Sequence, residues 1–275
     1  MKLLIGDSGN KAAAVLAVAF LTLCLLTVVG CGNRAGKDNG KASKSNPQPA
    51  ALGNTWTGTG GAVLSYKVDS LAYDSGHNLL YAGCYDVSSR TGKGVWKYDG
   101  TTWTDTAGEV SSYEILALAY DSSHSMLYAG TYSHGVWKYD GTTWTDTAGG
   151  LSRYEIDSLA YDSGHNLLYA GTKTSGVWKY DGANWTETGG GVSNYGIFSL
   201  AYDSGHNLLY AGTYGQGAWK YDGATWTNMG GVGVGVSSYQ VRSLAYDSAH
   251  NLLYAGCSVP FTNESKGVWK YAGQQ

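Results

Sequence analysis

The stretch DSLAYDSGHNLLYAGTKTSGVWKYDGANWTET, residues 157–188, decides the fold of this chain. It divides into four short runs rich in aromatic and aliphatic residues, at 157–162, 166–172, 176–181 and 184–188. None of these runs exceeds the usual length of a strand, and the connections between them carry turn chemistry, Asp-Ser-Gly-His after the first run and Asp-Gly after the third. The stretch therefore predicts four antiparallel strands and leaves no room for a helix.

The same pattern occurs five times in the chain. The phrase SLAYDSGHNLLYAG and its variants start at Ser70, Ala117, Ser158, Ser199 and Ser243, in steps of 47, 41, 41 and 44 residues. Four antiparallel strands in each repeat of roughly 40–45 residues are typical of a β-propeller blade. We predict an all-β fold in which residues 55–275 form a five-bladed β-propeller.

The two ends of the repeat region suggest how the ring closes. The last repeat stops after its third strand, GVWKYAG at 267–273, whereas NTWTGTGG at 54–61 resembles a fourth strand that no other strands precede. Pairing the two segments would place Trp56 in the fifth blade and give every blade two of the ten Trp residues. We expect a monomeric ring whose last blade is completed by the N-terminal strand.

Residues 150–186, GLSRYEIDSLAYDSGHNLLYAGTKTSGVWKYDGANWT, resemble the repeat of two-component regulator propellers, the periplasmic sensor modules of bacteria. The resemblance extends over all five repeats and implies a propeller. It implies less about function, because those sensors usually have seven-bladed rings and a transmembrane signalling half. In architecture alone, a five-bladed ring of Trp-rich repeats is also similar to tachylectin-type lectins, and a shared fold does not by itself establish function.

Residues 1–30 have the layout of an export signal, with Lys2 and Lys11 before an apolar run over 12–29. The run ends in VVGC, which resembles the lipobox of bacterial lipoproteins and implies Cys31 as the lipid-attached residue. An uncleaved membrane anchor is the alternative, since about 20 apolar residues can span a bilayer. Residues 31–54 are polar and read as a flexible linker. Both alternatives predict an extracytoplasmic protein held at a membrane; the resemblance, with Gly rather than Asp after the Cys, favours the outer membrane or cell surface.

Sequence variation among the repeats is concentrated in the loop between the second and third strands and in the link between blades, whereas the other turns are nearly constant. These connections emerge on one face of an up-and-down blade, and both carry Tyr, whose flat ring and hydroxyl suit stacking on sugars or packing on a protein partner. We predict ligand contact by the loop residues Tyr85, Tyr132 and Tyr214 and by the link residues Tyr66, Tyr113, Tyr154, Tyr195 and Tyr239. The alternative for the link residues is that each only fills its blade junction.

His and Cys residues suggest local roles. The five His of the Asp-Ser-Gly-His-type turns are spread around the opposite face, so we interpret them as hairpin braces and predict no metal and no cofactor.

Cys84 and Cys257 occupy equivalent positions in blades that would be neighbours in a closed ring. An oxidising compartment would permit a disulfide between them, unless the Cα atoms lie outside the bonding range.

The charge and the motifs of the chain limit the classes of function and of partner that it can have. Residues 55–275 contain 12 Lys and Arg against 19 Asp and Glu, with no basic cluster, which disfavours nucleic acid as a partner. There is no phosphate-binding loop, nucleophile elbow or zinc-ligand spacing, and Glu114, Glu155 and Asp157 are more simply solvated link residues than a catalytic set. We therefore expect no enzyme, but a binding protein for carbohydrate or another cell-envelope ligand. The alternative is a protein-interaction scaffold or accessory sensor module in an envelope complex.

Overall fold

A computed structural model describes residues 57–230 and 235–272 and confirms the all-β, five-bladed architecture. Each blade is one antiparallel sheet whose strands are neighbours in chain order. Blade one contains β1 (Lys67–Asp74), β2 (Leu79–Asp86), β3 (Thr91–Tyr98) and β4 (Trp103–Asp105). Blade two contains β5 (Ile115–Asp121), β6 (Met126–Thr131), β7 (Val136–Tyr139) and β8 (Trp144–Asp146), and blade three contains β9 (Ile156–Asp162), β10 (Leu167–Thr172), β11 (Val177–Tyr180) and β12 (Trp185–Glu187). Blade four contains β13 (Ile197–Asp203), β14 (Leu208–Thr213), β15 (Ala218–Tyr221) and β16 (Trp226–Asn228), and blade five contains β17 (Gln240–Asp247), β18 (Leu252–Ser258) and β19 (Ser265–Ala272).

Short 3-10 helices form the links that enter blades one to four. They span Ala62–Ser65, Glu109–Ser112, Gly149–Leu151 and Gly190–Val192. Each link buries one aliphatic side chain: Val63, Val110, Leu151 or Val192. The last three pack between two blades, whereas Val63 packs on blade one.

The core lies between neighbouring blades rather than inside any one of them. Val136 of blade two packs with Leu151 and Ile156, which belong to the next link and the next inner strand. The blades approach so closely that a Cβ on Gly130 would lie 2.6 Å from Cγ2 of Ile156. This contact explains the glycine of the repeated YAG sequence, because any side chain there would separate the two sheets.

The fourth strand of each complete blade contributes a Trp that closes the outer edge of a junction. The Trp ring stacks on the Tyr of the third strand with centroids 4.9–5.0 Å apart in all four complete blades. Its indole nitrogen also reaches the preceding blade, as Trp185 Nε1 donates to Thr147 Oγ1 at 3.0 Å. The Trp thus joins two blades as well as two strands.

Blade five differs from the other four, because its described residues form only three strands. The inner strands pack in succession from β1 to β5, β9, β13 and β17, but no contact of that extent joins β17 to β1 in the described ranges. Val268 of β19 is 76% exposed, whereas the equivalent Val136 and Val177 are at most 1% exposed. One face of blade five is therefore exposed among the described residues.

Several sequence predictions concern residues outside the described ranges. These are the signal peptide at 1–30, the linker at 31–54 with its lipid-attached Cys31, and the pairing of Trp56 with the last blade. Within the described ranges, no helix has the length and apolar character needed to cross a bilayer.

Candidate ligand-binding face

Both connections that vary among the repeats lie on one side of the propeller, as predicted. Backbone hydrogen bonds join each loop between the second and third strands to the start of the inner strand of its own blade. The Tyr132 N–H donates to the Glu114 carbonyl at 3.0 Å, and the Tyr214 N–H donates to the Gly196 carbonyl at 2.9 Å. We call this side, with the loops 84–94, 131–135, 172–176, 213–217 and 257–267 and the adjoining links, the variable face.

The five link tyrosines occupy the blade junctions of the variable face. Each lies against the Trp of a third strand, with ring centroids 5.7–6.1 Å apart, in the pairs Tyr66–Trp96, Tyr113–Trp137, Tyr154–Trp178, Tyr195–Trp219 and Tyr239–Trp269. The tyrosines are half-buried. Their repeated packing accounts for their presence in every copy, so ligand contact by these five residues stays a prediction.

The residue three positions before the Trp of each Tyr–Trp pair differs from blade to blade. His134 stacks on Tyr113 with ring centroids 3.9 Å apart, and the Lys93 ammonium lies 5.9 Å from the centre of the Tyr66 ring. Blades three and four have Ser175 and Gln216 at this position, whose carbonyls accept hydrogen bonds from the indoles of their own blades. The junctions thus share one framework but present different groups to solvent.

Of the three loop tyrosines, Tyr132 and Tyr214 are exposed, at 53% and 41%, and Tyr85 is half-buried. Among the ring contacts of the described residues, none joins any two of these three side chains. The three loop tyrosines therefore lie at separate positions and do not form one cluster.

Tyr214 instead belongs to an aromatic patch that sequence reasoning did not identify. We define the patch as Phe198, Tyr214, Phe261 and Arg242, on blades four and five. Tyr214 meets Phe198 edge-on at 5.5 Å and Phe261 edge-on at 5.9 Å, and the guanidinium of Arg242 lies 5.1 Å from the centre of the Phe198 ring. Arg242 also donates to Asn263 Oδ1 at 2.7 Å, which holds the loop of blade five against the patch.

Phe261 is the most unusual member of the patch. It is 87% exposed, and its backbone adopts a φ of +69°, a left-handed conformation that is unfavourable for a bulky residue. Strained backbone and exposed apolar surface both concentrate at binding sites. A sequence signal did exist, since the residue that follows the repeated aliphatic residue of each inner strand, Val68, Ile115, Ile156, Ile197 or Val241, varies among the blades: Asp69, Leu116, Asp157, Phe198 and Arg242.

The same position is charged on the other side of the variable face. Lys67 and Asp69 form an ion pair at 2.8 Å in blade one, and Lys173 Nζ lies 2.7 Å from Glu155 Oε1 in blade three. Burial, followed by the charge of Glu155, raises the pKa of Asp157 to about 7. The variable face therefore carries charged groups at this position in blades one and three and the aromatic patch on blades four and five.

The opposite face carries the Asp-Ser-Gly-His-type turns, and the structure confirms their local bracing. In each of the five turns the His Nδ1 lies 2.7 Å from the Asp Oδ2 three residues earlier. A cavity of about 330 Å³ between blades two and three is lined by Asp121, His124 and Tyr161, which hydrogen-bond within the protein. Across residues 57–230 and 235–272, no three His, Cys, Asp or Glu side chains converge as metal ligands would.

Cys84 and Cys257 are free, buried thiols in this structure. Burial raises the pKa of Cys84 to about 12 and that of Cys257 to about 11. Cys257 packs in the core between blades four and five, whereas Cys84 packs among residues of blade one and the link that enters it.

No protein-family model matches this chain, and no curated protein matches it. Solved structures do match. The extracellular domain of the putative hybrid two component system BT4673 from B. thetaiotaomicron is 20% identical, with a TM-score of 0.58 over 76% of this chain. The Niastella koreensis GH74 enzyme is 18% identical, with a TM-score of 0.57 over 74% of the chain.

A computationally designed protein, Ika8, also matches, at 18% identity and a TM-score of 0.50 over 73% of the chain. This chain spans 28% of the BT4673 structure, 38% of the GH74 structure and 62% of Ika8. At these identities the matches show a common fold, and that fold is found in sensor domains, enzymes and designed proteins alike.

Proposed function

We propose that this chain is a lipid-anchored, extracytoplasmic binding protein that recognises carbohydrate or another cell-envelope ligand on its variable face. In this proposal residues 1–30 are removed as a signal peptide, Cys31 carries the lipid and residues 31–54 tether the propeller to the outer membrane or cell surface. The propeller binds its ligand without a cofactor and without chemical conversion of the ligand.

The observation that carries the proposal is the aromatic patch. Phe198, Tyr214 and Phe261 present ring faces and edges of different orientation, which suits contact with the apolar faces of a sugar chain. Arg242 supplies hydrogen-bond donors beside the rings, and Tyr214 adds a hydroxyl. Few surface groups of a soluble domain combine exposure, strain and aromatic character in this way.

The comparisons support the proposal in part. BT4673 is described as an extracellular domain of a putative sensor, which agrees with binding outside the cytoplasm. The GH74 match is an enzyme. On this chain, Glu155 and Asp157 are the carboxyl groups nearest to a catalytic pair, but Glu155 is already paired with Lys173 and Asp157 is largely buried. This arrangement favours binding over catalysis.

A glycan array probed with the full-length chain in detergent would test the proposal. Two double variants separate the parts of the variable face: Tyr214→Ala with Phe261→Ala removes the patch, and Tyr85→Ala with Tyr132→Ala removes the other loop tyrosines. We expect saturable binding that the first variant loses and the second weakens. Absence of binding to every glycan by a chain that still unfolds cooperatively would overturn the carbohydrate assignment.

The alternative function is a protein-interaction scaffold or accessory sensor module. The exposure of Phe261 in the long loop of blade five favours this role, since a single exposed aromatic residue can anchor a protein partner. Crosslinking in the intact envelope, with a photoreactive group at position 261, would identify one partner protein if this alternative is correct.

A further inference from the structure

Arg242 differs from the other cations of the variable face in its partners. Four lysines of this face are each paired with a carboxylate, in the pairs Lys67–Asp69, Lys93–Asp86, Lys173–Glu155 and Lys266–Glu264. Arg90 and Arg153 are exposed, whereas Arg242 is half-buried. The aromatic patch thus contains a positive charge that no carboxylate of residues 57–230 or 235–272 neutralises.

Only part of the donor capacity of Arg242 is used within the described part of the chain. A guanidinium carries N–H donors on Nε, Nη1 and Nη2. Nε donates to Ser258 Oγ at 3.3 Å, and Nη2 donates to Asn263 Oδ1 at 2.7 Å. Both acceptors are neutral, and Nη1 has no acceptor among the residues that the structure describes. Nη1 and the second N–H of Nη2 therefore form a fork that can bind a carboxylate through two hydrogen bonds.

Two β-bulges place this fork beside an aromatic ring. Phe198 and Arg242 are the extra residues of bulges near the starts of β13 and β17. A bulge interrupts the alternation of a strand and redirects the extra side chain. The guanidinium carbon of Arg242 lies 5.1 Å from the centre of the Phe198 ring, and Tyr214 meets the same ring edge-on. The charge and the aromatic rings therefore form one continuous surface.

The loop of blade five holds the fork in place. The Asn263 N–H donates to the Val259 carbonyl at 3.1 Å, which closes a turn within the loop. Pro260 lies so close to the loop of blade four that a Cβ on Gly215 would lie 3.1 Å from its Cγ. Because Asn263 in turn accepts from Arg242, the guanidinium is preorganised and loses little conformational freedom when a ligand binds.

We infer that the aromatic patch binds an acidic sugar chain whose uronic acid residues pair with Arg242; this inference rests on the proposed function. A uronic acid carries its carboxylate directly on the sugar ring, so one residue can both contact an aromatic ring and reach the guanidinium. The paired lysines are poorer candidates, since each would first have to leave its own carboxylate. The carboxylates of blades one and three repel an anionic chain and should direct it over blades four and five.

Isothermal titration calorimetry of the full-length chain in detergent tests the inference. The probes are oligosaccharides of galacturonic acid, of alginate and of hyaluronan, each compared with the same oligosaccharide whose carboxyl groups have been reduced to alcohols. A sulfated dextran oligosaccharide serves as a different anion. We expect at least one uronic acid probe to bind about tenfold or more tightly than its reduced form, because reduction removes two charge-assisted hydrogen bonds.

Variants separate the charge of Arg242 from its position. Arg242→Gln should bring the affinities for the acidic and the reduced probe within about twofold of each other. Arg242→Lys keeps the charge without the fork, so its affinity for the acidic probe should lie between those of Arg242→Gln and the unchanged chain. Asn263→Ala frees the loop but keeps the guanidinium, and it should retain the preference for the acidic probe.

Arg153→Gln is the matched control, because it removes an exposed arginine from the same face. It should change the affinity for the acidic probe by less than about twofold. Equal losses in Arg153→Gln and Arg242→Gln would overturn the inference, as would equal affinity of the unchanged chain for acidic and reduced probes or tighter binding of the sulfated probe. Those outcomes leave carbohydrate binding intact. Binding to no probe and to no glycan of the array would instead overturn the carbohydrate assignment, and this inference with it.

Discussion

The junction between blades two and three and the exposed face of blade five are built from the same repeated residues, yet they differ in burial. At the complete junction Val136 and Ile156 are almost fully buried, and Trp185 links the two blades. On blade five the equivalent Val268 is 76% exposed and Tyr271 is 37% exposed. A blade of this protein is therefore stable only as a member of a series, because its apolar faces are completed by its neighbours.

The largest effect should come from forcing a complete junction apart. Gly130→Ala places a methyl group 2.6 Å from the side chain of Ile156, so we expect a loss of about 3 kcal/mol in the free energy of unfolding. Gly164→Ser is the control, because blade two carries Ser123 at that turn position, and it should cost less than about 0.5 kcal/mol. Chemical denaturation measures both, and equal stability of the two variants would contradict close packing between the blades.

The next effect compares the fourth strand that the sequence predicts for blade five with an observed one. Trp185→Ala removes a buried ring and should cost about 3–5 kcal/mol. If Trp56 completes the last blade, as the sequence predicts, Trp56→Ala should cost about 2 kcal/mol. Denaturation midpoints measure the two losses. A Trp56→Ala variant as stable as the unchanged chain would show that position 56 makes no packing contact.

Sequence reasoning predicted the parts of the molecule that repeat and missed those that occur once. The four-strand blades, the turn glycines and the Asp–His braces follow from local chemistry that five copies confirm. The aromatic patch could not be predicted in the same way, since Phe198 and Phe261 are 63 positions apart in the chain and meet only through Tyr214. The different clusters in which Cys84 and Cys257 are buried likewise could not be predicted from their equivalent positions in the repeat.

A smaller effect on the free energy of unfolding, dependent on pH, is expected from Asp157 in blade three. The pKa of Asp157 is raised from 3.8 to about 7, so below about pH 4 the carboxyl is protonated in both folded and unfolded chains. Between these values the unfolded chain loses its proton first, and the free energy of unfolding falls as the pH rises until the folded pKa is passed.

Asp157→Asn should remove that slope and stabilise the protein by ~1–2 kcal/mol at pH 8, with little change at pH 4. Unfolding curves measured from pH 4 to pH 8 test this, with Glu187→Gln, an exposed residue of the outer strand, as the control. A parallel pH dependence of the Asp157→Asn variant and the unchanged chain would refute a raised pKa at this position.

The smallest expected effect concerns the strained loop of blade five. Phe261→Gly relieves a left-handed backbone and should raise the free energy of unfolding by ~0.5–1 kcal/mol, while weakening binding to any glycan that the array identifies. Thermal unfolding and binding would be measured on the same sample. Loss of stability in this variant would mean that the ring of Phe261 packs within the protein and is not available for ligand contact.

The most direct test of the central claim is a comparison of Val268→Ala with Val136→Ala by equilibrium unfolding of the full-length chain. The two residues occupy equivalent positions, one on the exposed face of blade five and one in a complete junction. If the ring is closed, as the sequence predicts, both substitutions remove a buried side chain, and we predict losses of about 2 kcal/mol that agree within about 0.5 kcal/mol. A Val268→Ala variant that unfolds like the unchanged chain, beside a clearly destabilised Val136→Ala variant, would show that the fifth junction stays open.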